Sequence, residues 1–200
     1  MKIGHYDPKI KSLSKYESLC LLTMQKNDPG IITSKQNTSL FNKNEEPTLI
    51  ISSTQLRGKQ TATLTNSLLT KQARILYTNL ANEIIFDMST FCSKKQYEKH
   101  GSNIVRQKFI NSFSTNKLIE KHHQLHKRFE QLRLMLKTES QFHKNILIVS
   151  HTFFIKLFII YIDHPDLFTK PNITRQYINP QARIMQFYDK TLLDKTKLLR

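Results

Sequence analysis

The chain has 200 residues, 38% of them hydrophobic, which suits one domain spanning residues 1–200 with a sizeable core. Its 31 Lys+Arg against 15 Asp+Glu give a formal charge of +16, favouring anionic partners; the basic residues are scattered and form no recognised nucleic-acid module, so no specific nucleic-acid partner is expected. Cys20 and Cys92 stand in no metal or redox spacing, so free thiols, a reducing cytoplasmic setting and no zinc site are expected.

Met1 to Gly4 reads as the end of a short strand, and His5-Tyr6-Asp7-Pro8 then turns away, because a residue before proline is biased against helix. His5 therefore lies near a strand's carboxyl end. No apolar signal-peptide core follows Met1. Leu13, Tyr16, Leu19 and Met24 recur at helical intervals, Asn27-Asp28-Pro29-Gly30 is a turn, and the polar stretch from Ser34 to Pro47 is a loop or another short helix. The β-branched run Thr48-Leu49-Ile50-Ile51 stops at Ser52 and Ser53. A helix-prone segment follows to about Thr70, with Arg57 in its first turn. Ligands of open α/β sheets bind beyond the carboxyl ends of the strands, and an arginine there can hold a phosphate bidentately.

Arg74 to Tyr77 is a second strand, after which Leu80-Ala81-Asn82-Glu83-Ile84-Ile85-Phe86-Asp87 brings two carboxylates. Cys92 to Gly101 reads as a polar, substrate-facing excursion. Ile104–Phe113 and Leu118–Leu136 read as helices, the second with an apolar stripe that packs on the sheet or binds a partner. His122, His123 and His126 lie on it without a carboxylate or cysteine in a metal-binding pattern, so they are solvated or neutral packing groups. The apolar run Ile146-Leu147-Ile148-Val149 ends in Ser150-His151 and leads to a helix from Phe153 to Tyr161; Ser150, His151, Thr152 and Lys156 interrupt it too often for a bilayer span. Asp189 to Arg200 is a basic tail. Apolar strands alternating with helices predict a three-layer α/β/α sandwich with a mainly parallel central sheet.

Ser53-Thr54-Gln55-Leu56-Arg57-Gly58-Lys59-Gln60-Thr61-Ala62 resembles the serine-x-x-x-arginine-alanine-x-glutamine-threonine-alanine motif of the histidine phosphatase superfamily, which has the phosphoglycerate-mutase-like fold. Ser150-His151 after its apolar strand resembles the second histidine motif, and Asn179-Pro180 the turn into the final strand. The resemblance implies a phosphomonoester hydrolase working through a phosphohistidine, without metal or organic cofactor. His5 would be the nucleophile, Arg57 and His151, with His5, would hold the phosphoryl oxygens, and Glu83, preferred over Asp87, would protonate the leaving oxygen. It implies as partner a phosphorylated small molecule or phosphoprotein. The family's first motif is arginine-histidine-glycine, whereas this chain has Gly4-His5-Tyr6, and Thr152 stands where glycine commonly follows the second histidine. The alternative is an inactive relative that binds a phosphorylated ligand or polyanion.

Overall fold

The computed structural model describes residues 46–86, 91, 93–100 and 102–165. The expected first strand with His5, the helix after Leu13, the turn at Asn27, the bulk of the 34–47 stretch, Asp87, both cysteines and the segment from Tyr177 onward lie outside these residues.

Leu49-Ile50-Ile51-Ser52-Ser53 forms strand β1 (Leu49–Ser53), and all five residues are buried, as a strand covered on both faces requires. β1 lies between β2 (Arg74–Thr78) and β3 (Ile146–Val149) and is parallel to both. The register pairs Ser53 with Thr78 and Ser52 with Val149, so the three strands finish at the same edge. Successive side chains point to opposite faces. Ile50 joins Ala62, Ala73 and Val149 in a small core beneath helix α1 (Leu56–Ser67), while Leu49 and Ile51 enter a larger one.

The larger core is built by α2 (Lys94–His100), α3 (Ser102–Ser114), α4 (His122–Glu139) and α5 (Thr152–Asp163). Phe109, Phe113, Phe129 and Phe154 are fully buried in it. Phe129 meets Phe154 edge-on at 5.1 Å, and Phe109 stacks on Phe153 at 3.8 Å. Large rings bury the most apolar area per residue, so these contacts fix how α4 and α5 lie on the sheet. No helix among the described residues is long and apolar enough to cross a membrane.

The polar stretch after Cys92 contains a helix: Gln96 N–H donates to Ser93 Oγ at 3.3 Å, Ser93 N–H donates to Gln96 Oε1 at 3.0 Å, and Tyr97 is buried in the core. One expectation is corrected. The expected helix from Leu118 begins at His122. Asn116 adopts a left-handed φ of 52°, the chain turns there, and its Oδ1 accepts from His122 N–H at 3.1 Å. The stripe itself, Leu125, Phe129, Leu132 and Leu136, faces the core.

The turn before α4 also carries Glu120 inward. Its carboxylate pairs with Arg128 at 2.7 Å, and the same guanidinium donates to the carbonyls of Asn82 at 2.6 Å and Leu80 at 3.4 Å. Ile85 N–H donates to Glu120 at 3.2 Å, so one ion pair holds the loop after β2 against α4. Arg128→Met should cost about 3 kcal/mol in urea unfolding, because it leaves a buried carboxylate unpaired; a loss below about 1 kcal/mol would show that the loop is held by other means.

α1 approaches β1 closely at one point. A Cβ on Gly58 would lie 2.7 Å from Ser53 Cβ and 3.2 Å from its carbonyl oxygen. Gly58→Ala gains about 1 kcal/mol of helix propensity but forces a buried strand end to move, at about 1–3 kcal/mol. A net loss of stability is expected in thermal unfolding, and a variant more stable than the wild type would refute the tight fit.

Candidate active site

The carboxyl edge of the sheet is where polar residues first enter the buried interior. Ser52 and Ser53 are both fully buried, and such groups are costly unless hydrogen-bonded. Ser53 Oγ lies 2.8 Å from Asn82 Oδ1, accepts from Gln55 N–H at 3.1 Å and is 3.0 Å from His151 Nε2. Asn82 Oδ1 also takes the Thr54 backbone N–H and the Thr54 hydroxyl, each at 2.9 Å. Gln55 Oε1 accepts from Glu83 N–H at 3.1 Å, and Ser150 Oγ donates to the Ala81 carbonyl at 2.6 Å. The loops that follow β1, β2 and β3 are thus bonded to one another.

Arg57 sits in the first turn of α1, half-buried, and its Nε is enclosed with no hydrogen-bond partner among the described residues. Its charge reaches Glu83. The Glu83 carboxylate turns onto the start of α5, where Phe154 N–H donates at 2.9 Å and Phe153 N–H at 3.4 Å; Ile84 N–H adds a third bond at 2.9 Å. Helix N-termini present unpaired N–H groups and a positive dipole end, both favouring the ionised carboxylate. Burial opposes them and prevails: the Glu83 pKa is raised, chiefly by desolvation, against the pull of the Ile84, Phe154 and Phe153 N–H groups and of Arg57.

His151 is the residue before α5, extended at φ −116° and ψ 161°, and buried. β3 ends at Val149, and helix begins at Thr152, so the histidine sits in the bend between them. Arg57, Glu83 and His151 therefore follow the ends of three adjacent parallel strands. His5 lies outside the described residues, and so does Asp87.

The histidines of α4 stand apart from this edge. The His122 ring bonds the Phe113 carbonyl and packs on the Phe113 ring, and burial lowers its pKa. His126 meets Tyr161 edge-on, whereas His123 is exposed. Among the described residues no group of three His, Cys, Asp or Glu side chains could hold a metal ion.

Sequence reasoning left out Asn82, Gln55 and Arg128 and gave Ser53 no role beyond opening a motif. Asn82 directly precedes Glu83, which offered a local signal. Arg128 offered none for its place in the site, since besides Glu120 it holds the Leu80 and Asn82 carbonyls, far away in the chain.

Comparison with curated proteins and with solved structures gave no match. The family model described as histidine phosphatase superfamily (branch 1) matches residues 27–183. That span includes Arg57, Glu83 and His151 and begins beyond His5. The superfamily is one of phosphatase- and mutase-type activity, and its α/β fold agrees with the parallel sheet and covering helices seen here. A match over most of the chain, on a sheet of this topology, makes the chain a member of the histidine phosphatase superfamily, branch 1, with a phosphoglycerate-mutase-like fold.

Proposed function

We propose that the protein is a phosphomonoester hydrolase acting through a phosphohistidine. The observation that carries this reading is the half-buried Glu83, its carboxyl pKa raised by desolvation, on the same sheet edge as an Arg57 Nε that has no hydrogen-bond partner among the described residues. A general acid has to keep its proton near neutral pH, and desolvation shifts the Glu83 carboxyl in that direction. In the proposed reaction His5 attacks phosphorus in line and the bond to the leaving oxygen breaks. Glu83 gives that oxygen a proton, while Arg57 and His151 stabilise the charge on the equatorial oxygens. Water then attacks the phosphohistidine, Glu83 taking back a proton, and inorganic phosphate leaves. The substrate is a phosphorylated small molecule or phosphoprotein, and the setting cytoplasmic.

A second reading, a relative that binds phosphate without turning it over, draws on two facts: Gly4 and Tyr6 flank His5 where the family has arginine and glycine, and the family match starts at residue 27. Steady-state hydrolysis of an aryl phosphate separates the two. Turnover abolished by His5→Ala supports the hydrolase; phosphate binding without turnover supports the second reading. Arg57→Ala should lower kcat/KM by about 100-fold, the usual loss when one oxyanion donor is removed. An unchanged value would remove Arg57 from the pocket.

Glu83→Gln keeps the shape but delivers no proton, so turnover should fall more for alkyl than for aryl phosphates. Its stability should move the other way. Because folding raises the Glu83 pKa above 4.5, the folded state binds the proton more tightly than the unfolded chain; the ionised side chain costs stability above the raised pKa, and the cost vanishes as pH falls towards 4.5. Glu83→Gln should therefore melt higher than the wild type at mildly alkaline pH and converge with it in acid. A variant that melts lower at alkaline pH would mean that the carboxylate's bonds to α5 outweigh its desolvation.

A further inference from the structure

We propose that Ser53 and Asn82 are positioning residues that dictate which nitrogen of the His151 ring carries a proton; the proposal rests on the reading of His151 as a phosphate-binding group. A backbone N–H can only donate, so it fixes the role of the atom it meets. Thr54 N–H points at the Asn82 side chain from 2.9 Å, so the atom it meets is the amide oxygen, which can only accept. That oxygen also takes the Thr54 hydroxyl at 2.9 Å, and Ser53 Oγ, 2.8 Å from the same acceptor, is left to donate its single proton to it. Gln55 N–H occupies one of the two Ser53 lone pairs at 3.1 Å. The other lone pair faces His151 Nε2 at 3.0 Å, so Nε2 has to be the donor.

Both Ser53 and His151 are buried, which makes a mismatched pair of donors or acceptors there expensive. The Nε2 proton is thereby committed to the sheet, so a phosphoryl group held by this ring would have to be met by Nδ1. A ring that grips a phosphoryl oxygen through Nδ1–H while keeping its bond to Ser53 is an imidazolium, so the anion meets a positive charge. Asn82 touches neither His151 nor the phosphoryl group. It acts through Ser53, whose hydroxyl would otherwise be able to turn its own proton onto the ring.

Long-range 1H–15N NMR of the labelled full chain, taken above the titration of the His151 ring, tests this; His151→Gln identifies the resonances by their loss. In the wild type the neutral ring should show a protonated-type Nε2 and an unprotonated-type Nδ1. Asn82→Leu removes the acceptor, so the Ser53 proton turns to the ring and the two nitrogen signals exchange character. Asn82→Asp keeps an acceptor oxygen in place and should restore the wild-type pattern, which a purely structural loss would not do. A wild-type ring protonated at Nδ1, or a folded Asn82→Leu variant with an unchanged pattern, overturns the proposal. Should Asn82→Leu fail to fold, the wild-type spectrum alone decides. Aryl phosphate turnover on the same samples keeps the two failures apart: an Nε2-protonated ring without turnover upholds the Ser53–Asn82 control and rejects the hydrolase, whereas turnover with an Nδ1-protonated ring does the reverse.

Discussion

A strand buried along its whole length that ends in two serines has to satisfy their hydroxyls within the protein, and much of the molecule is arranged around that constraint. β1 contributes Leu49, Ile50 and Ile51 to cores on both faces, so its end cannot be moved out to water without opening one of them. Ser53 instead meets Asn82 from the loop after β2, Gln55 from the loop leading into α1, and His151 from the loop after β3. Parallel pairing makes this possible, because three parallel strands in this register deliver their following loops to one edge.

The same edge balances two electrostatic demands on Glu83. The helix N-terminus and the Arg57 charge favour a carboxylate, while removal from water favours the neutral acid, and the second effect is the larger. The Glu120–Arg128 pair supplies the rigidity that keeps this balance in place. It ties the Leu80 and Asn82 carbonyls to α4, and the Arg128 guanidinium lies 5.0 Å above the Phe154 ring, directly beside the helix start that receives Glu83. A loop that would otherwise be free to move is therefore held by charges that are themselves nearly buried.

A few elements show how differently local and distant signals behave. β1, β2 and β3 were legible because each is a short run of apolar or β-branched residues bounded by polar ones, and α5 because its apolar run is too long for a strand. The Ser93-to-Gln96 capping box was visible in the sequence but obscured by the polar composition of α2, whose core contact rests on Tyr97. The start of α4 was misplaced because hydrophobic spacing continues back to Leu118, which is buried in a turn rather than in the helix.

By itself the sequence determined the family and the order of its motifs, since Ser53 to Ala62 and Ser150-His151 carry residue types at spacings that depend only on one strand and the helix after it. It also determined that a parallel sheet would bring Arg57, Glu83 and His151 after strand ends. Tertiary structure alone decided which groups share hydrogen bonds there. Asn82 meets Ser53 and Thr54, His151 meets Ser53, and Arg128 meets the carbonyls beside them only because separate loops converge on one buried serine. The upward shift of the Glu83 pKa was decided there too, because desolvation depends on packing, and the helix start that its carboxylate meets belongs to α5, distant from it in the chain.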